Sequence, residues 1–117
     1  MMTNDHENRA QTPEEYASAN PPRARVLQEA ERLTCGDRNR TYGPPTQNFK
    51  NIAEFWTTRI GHKLKDGETI TSTDVADLMV LLKVARNIAQ IKKDNFVDAA
   101  AYSACGWECH LEETREH

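Results

Sequence analysis

Thr71 to Leu111 reads TSTDVADLMVLLKVARNIAQIKKDNFVDAAAYSACGWECHL, and this stretch decides the fold. Apolar residues recur at helical spacing through its first half, a tight turn falls at Lys92-Lys93, and an Ala-rich second half runs back as another helix. Thr71 with Asp74 three residues on has the form of a capping box. At about 100° per residue, Leu78, Leu81, Leu82, Ala85, Ile88 and Ala89 fill one broad side, and Val80, Val84 and Ile91 extend it. Lys83, Arg86, Asn87, Gln90 and Lys93 form the polar sector. A helix apolar over most of its girth is the central one of a bundle or lies in an oligomer interface. Four modest helices are too few to cover it, so a homo-oligomer is expected. Asp94 is placed to cap the returning helix, whose apolar side is Val97, Ala100, Ala101, Ala104, Trp107 and Leu111.

Upstream, Asp66-Gly67 marks a turn. Before it a helix is predicted from about Gln47 to Leu64, with Phe49, Ile52, Ala53, Trp56 and Ile60 on one face and Thr46 or Asn48 as cap. Gly43-Pro44-Pro45 interrupts any helix. Arg23 to Thr34 carries Val26, Leu27, Ala30 and Leu33 as a stripe, and Gly36 suits its stop. Residues 1–22 have hardly any large apolar side chain, so a disordered arm is expected, with at most a short helix starting near Thr12-Pro13. No stretch alternates as a strand does. The expected fold is therefore all-α, a compact bundle of about four helices in one domain over residues 23–117, preceded by that arm.

Composition narrows the function. The chain has 117 residues and a net charge of −3, so nucleic-acid binding would need a local basic patch. The longest apolar run, Leu78 to Leu82, is far too short to cross a bilayer. The polar N-terminus fits neither a signal nor a transit peptide. Three cysteines, Cys35, Cys105 and Cys109, form no disulfide framework and point to reduced thiols in the cytoplasm. Cys105, Cys109 and His110 offer at most three zinc ligands, so buried thiols are the better account.

Four acids stand out. Asp74 and Asp77 lie three apart on the apolar arc of the central helix, where burial would require a cation or a metal; Asp74 also suits the first helical turn and its dipole. Asp94 and Asp98 stack four apart, a like-charge arrangement that a divalent cation or an arginine would relieve. Counted from the turn, Arg86 falls opposite Asp98, and an ion pair between them competes with the metal. At 1.5 Å per residue, Asp77 stands roughly 20–25 Å from that turn. One hairpin cannot bring both acid pairs onto one cation. Cationic strips come from Lys83 and Arg86 beside Asp98 and Tyr102, and from Arg38 and Arg40 with Tyr42; arginine forks suit phosphate and tyrosine offers a stacking surface. A solvated loop whose arginines pair with Asp37 and Glu31 is the plainer account of the second strip. His6, His62, His110 and His117 form no catalytic pair, and no nucleophile triad or Gly-rich phosphate loop is present.

The blocks DRNRTYGPPTQNFKNIAEFW, ITSTDVADLMVLLKVAR and DNFVDAAAY closely resemble a family of small, functionally uncharacterised proteins found mainly in phages and prophages. The resemblance covers about Asp37 to Glu108, with Ala101-Tyr102 where that family usually has Gly-Tyr. More distantly, the chain looks like the MazG-like, all-α nucleoside triphosphate pyrophosphatases, dimers or tetramers that cleave a nucleotide to its monophosphate and pyrophosphate. Those enzymes hold Mg²⁺ with an ExxE pair and a following ExxD pair. Here the resemblance implies Mg²⁺ (or Mn²⁺) on Asp74, Asp77, Asp94 and Asp98, although all four are the shorter acid and the second spacing is one residue too long. It further implies Lys83 and Arg86 as catalytic charge-neutralising groups, and Arg38, Arg40, Tyr42, Asn48, Trp56 and Tyr102 around the nucleotide. The place of action would be the cytoplasm, that of the host if phage-encoded. The competing expectation is a non-catalytic helical oligomer that binds a host protein or sequesters a nucleotide. DNA binding is disfavoured by the acidic net charge and the lack of a reading helix.

Overall fold

The computed structural model describes residue 12, residues 20–36, residue 41 and residues 43–115. Among the described residues four α-helices build the fold: α1 Pro22–Cys35, α2 Pro45–Ile60, α3 Ser72–Ala89 and α4 Lys93–Arg115, with a 3-10 turn at Gly61–Lys63. Among the described residues there is no strand. The all-α expectation holds. The proposed N-terminal arm and the short helix near Thr12-Pro13 lie almost wholly outside the described residues.

Local chemistry explains most boundaries. α1 and α2 each begin on a proline, Pro22 and Pro45, preceded by another in extended conformation. A fixed φ near the helical value, and no amide to leave unpaired, make proline a good first residue. The second helix thus starts two residues before Gln47, with no side-chain cap from Thr46 or Asn48. Gly43, at φ 77°, makes the turn before it, and Gly67, at φ 83°, the turn after it; both angles favour glycine. The Thr71–Asp74 capping box is complete in both directions. α4 starts at Lys93, so Asp94 lies inside its first turn and not at its cap.

α3 and α4 form the most extensive pairing, α2 packs on both, and α1 packs mainly on α4. The core is Phe49 and Ala53 of α2, Ile70, Val75 and Ala76 of α3 and its approach, and Cys105 and Cys109 of α4. α3 and α4 touch closely at Gly106, where a Cβ would stand 3.0 Å from that of Ala76. The connector before α3 is latched by Thr57, whose Oγ1 accepts from the Ile70 amide at 2.9 Å. At the turn end, Glu29 of α1 meets Lys93 of α4 at 2.6 Å.

Of the two places expected for the apolar arc of α3, its own bundle is not the one observed. α3 buries Ser72, Val75 and Ala76 and turns Lys83 and Asn87 inward, while Leu78, Leu81, Leu82, Val84 and Ile88 are exposed. The apolar arc faces out because α1 and α2 cover only the opposite side of the α3–α4 pair. On α4 the buried face is Asn95, Val97, Cys105, Gly106 and Cys109. Trp107 and Leu111, expected inside, are exposed.

Candidate functional site

A cavity of about 150 Å³ opens where all four helices meet, lined by Leu33, Thr34, Gly43, Pro45, Asn48, Phe49, Lys83, Asp98, Ala101, Tyr102 and Cys105. Sequence dictates how each wall is placed. The inward-turned polar sector of α3 delivers Lys83, and the first turns of α4 deliver Asp98 at the same level. Their ion pair is 2.9 Å long, with Lys83 13% and Asp98 32% exposed. Pro45 starts α2 at the rim, so Asn48 stands in its first turns. Tyr102 leans on Phe49, ring centroids 6.1 Å apart and tilted by 39°. The result is a largely enclosed ammonium, a carboxylate, an amide and a phenol around one small space, near the positive end of a helix dipole.

The partner of Asp98 is Lys83, not Arg86. Asn95 Nδ2 donates to Asn87 Oδ1 at 2.7 Å, and Gly106 lies against Ala76; this register puts Asp98 level with residue 83 or 84. Arg86 is exposed and lines no wall of the cavity. Four residues singled out from sequence, Asn48, Lys83, Asp98 and Tyr102, are brought together. Trp56 packs against the core instead. Arg38, Arg40 and Tyr42 lie outside the described residues.

The acids are scattered. Asp74 gives its carboxylate to the Thr71 amide at 2.9 Å. Asp77 is exposed on the outer side of α3, Asp94 is exposed at the start of α4, and Asp98 holds Lys83. Among the described residues no three His, Cys, Asp or Glu side chains come together as a metal would require. Within one chain these four carboxylates do not fit a shared Mg²⁺. Cys105 and Cys109 are buried and in no disulfide, while His110 turns outward onto Trp107, so these three do not converge as zinc ligands. Burial pushes the Cys109 thiol up, a hydrogen bond with Ser72 notwithstanding, with Glu113 adding to the rise.

Sequence reasoning missed Glu113. Its Oε1 accepts from Ser72 Oγ at 2.5 Å and from the Thr73 amide at 3.1 Å, and its Oε2 accepts from Thr73 Oγ1 at 2.9 Å. A carboxylate from the end of α4 thus caps the start of α3. Burial would raise its pKa, but the bonds from Ser72 and Thr73 together outweigh that and hold it below the ordinary carboxylate value.

Residues 25–110 match the model of a family described as a domain of unknown function, DUF6378. The chain belongs to that family. The DUF6378 match takes in every residue lining the cavity and ends before Glu113. Over 81 residues the chain is 40% identical to the Gene 55 protein of Mycobacterium phage D29, an overlap of 68% of this chain and 50% of that protein. The Gene 55 protein of Mycobacterium phage L5 is 35% identical over 79 residues, 67% of this chain and 47% of the relative. The DUF6378 chain therefore spans about half the length of these curated relatives. No solved structure matches it. Among the described residues, no helix is long and apolar enough to cross a membrane.

Proposed function

We propose that this phage-family protein binds a nucleotide, with one polar group of the ligand seated in the cavity between Asn48, Lys83, Asp98 and Tyr102, in the cytoplasm of an infected host. The Lys83–Asp98 pair, with its ammonium largely enclosed, carries this reading. An ion pair set in a four-helix junction costs desolvation that a hydrophobic pair would avoid, and it stands beside an open cavity instead of being packed over. Lys83 suits a phosphate, Tyr102 and Asn48 suit ring edges or hydroxyls, and the α2 N-terminus favours negative charge. The space is below the roughly 300–1,000 Å³ of sites that enclose a whole small molecule. It takes the terminal phosphate or the base, with the remainder of the ligand at the rim.

Hydrolysis to monophosphate and pyrophosphate is the second reading, favoured by the position of Asp98 beside Lys83 in the cavity. It needs Mg²⁺ or Mn²⁺ held by more carboxylates than one chain brings together, and no step is assigned to it.

Both are tested with the eight common nucleoside triphosphates, with and without Mg²⁺ or Mn²⁺. Thermal stability reports binding, since a ligand of the folded state at 100 times its Kd adds about 2.7 kcal/mol; anion exchange reports products. At least one nucleotide should raise Tm, with affinity falling about tenfold or more in Lys83→Met. No shift across the panel would sink the binding reading. Monophosphate plus pyrophosphate, lost in Asp98→Asn, would establish hydrolysis.

A further inference from the structure

Among the described residues, the outer side of α3 leaves the most apolar side chains uncovered. Leu81, Val84 and Ile88 follow one another at intervals of three and four and lie opposite the buried Val75 and Ala76, so they point away from α2. Leu81 is 61% exposed and Ile88 88%. α4 does the same beside it. Phe96, Trp107 and Leu111 lie opposite the buried Cys105 and Cys109, with Ala100 and Ala104 between them, and Trp107 is 62% exposed. The two stripes occupy the same back of the α3–α4 hairpin, because α2 packs against Val75, Ala76, Cys105 and Cys109 on its front.

The size of this back argues for one kind of occupant. With Leu78 and Ile91 at its edge, and taking roughly 200 Å² as the full surface of a large apolar side chain, within the range for aromatics, it exposes on the order of 1,000 Å². The largest apolar patch on a typical monomer is roughly 300–600 Å², whereas each side of a standard stable interface buries about 800 Å². Residues 1–19 hold only Met1, Met2 and Tyr16 as large nonpolar side chains, too few to match a face of this size. Two antiparallel helices with stripes at three- and four-residue spacing are half of a four-helix bundle, and the other half needs the same spacing. An identical hairpin supplies it, and a two-fold axis makes such a patch self-complementary.

We infer that a second copy of this chain covers the back of the hairpin, so that two α3–α4 pairs close face to face into a four-helix core, with α1 and α2 of each copy outside. The inference is independent of the ligand: it uses the back of the hairpin, and the cavity opens on its front. Asp77, three to eleven residues before Val80, Val84 and Ile88, lies within the covered face and is the carboxylate this interface would have to accommodate.

Sedimentation and light scattering across about 5 to 500 µM are expected to give twice the chain mass. Ile88→Asp and Trp107→Lys should each weaken association at least 100-fold and yield monomers that keep their helical circular dichroism. Phe55→Lys, which alters an exposed aromatic on α2, should leave the dimer intact. A chain lacking residues 1–19 should also remain dimeric. Wild-type protein that is monomeric at every concentration overturns the inference, whatever else covers the face. So does a dimer indifferent to both substitutions on the back. If those variants lose helicity, the wild type decides alone: its Tm must rise with protein concentration, and a flat Tm overturns the proposal.

Discussion

The two ends of the α3–α4 pair are held together by different chemistry. At the end away from the turn, Val75 and Ala76 pack on Gly106 and Cys109, and Glu113 closes the start of α3. The contacts between the helices there are apolar or cap a helix end. Toward the turn, the facing residues are Lys83 with Asp98 and Asn87 with Asn95, and a cavity stands open beside them. The first end makes the fold. The second carries polar groups that a purely structural hairpin would replace with leucine and alanine, and this contrast is why the candidate site belongs there. If that division is right, substitutions at the first end cost stability without changing the cavity, and substitutions at the second do the reverse.

The largest loss should follow Gly106→Val. The Ala76 Cβ already stands at 3.0 Å from where a Cβ would sit, and it is fixed to a helix backbone that cannot rotate away. Valine forces the two helices apart, at about 3 kcal/mol, the upper range for overpacking. Denaturant unfolding measures this. A loss under 1 kcal/mol would mean that the packing here is looser than the contact implies, and the contrast between the ends would weaken.

Glu113→Ala comes next, at about 2 kcal/mol, since it strips acceptors from two hydroxyls and an amide at a helix start. The sign of its pH dependence is fixed. Its carboxyl is held below the ordinary value of 4.5, so its contribution is fully present above that pH and is lost as pH falls through the folded-state value. Wild type and variant should therefore differ most near neutrality and converge in acid. A difference that persists unchanged at pH 3 would remove the carboxylate from the account.

Four helices, their order, the capping box at Thr71 and the buried Cys105 and Cys109 were all legible from periodicity and spacing, because each depends on neighbours within a few turns. Two features were not. Glu113 meets Ser72 and Thr73 across some forty residues, and nothing local distinguishes it from a solvated glutamate. The sequence left α3 open between its own bundle and another subunit, because periodicity identifies an apolar arc without saying what lies against it. Leu81 and Ile88 face out since the shorter α1 and α2 cover one side of the hairpin only. Within the site, Asn48, Lys83, Asp98 and Tyr102 were legible as a group, whereas the partner of Asp98 was displaced by one turn. A turn of unknown length leaves register undetermined to within about that much.

The smallest effect on stability should come from the polar end, and it is the most informative. Lys83 keeps only 13% of its side chain exposed, so Asp98→Asn strands an ammonium in a poorly solvated place. Asp98 is about one-third exposed, and water moderates the penalty to about 1 kcal/mol. Replacing both together, Lys83→Met with Asp98→Leu, removes the charge and its counter-charge at once. That double variant should be within about 1 kcal/mol of wild type or more stable, because desolvating two ions costs as much as their attraction returns. It should also lose nucleotide binding entirely. A double-mutant cycle with unfolding and binding read on the same four proteins separates the two roles. Retained binding in the double variant would make the pair a structural bridge between α3 and α4. Stability regained with binding lost would show that the chain keeps these two charges for a ligand.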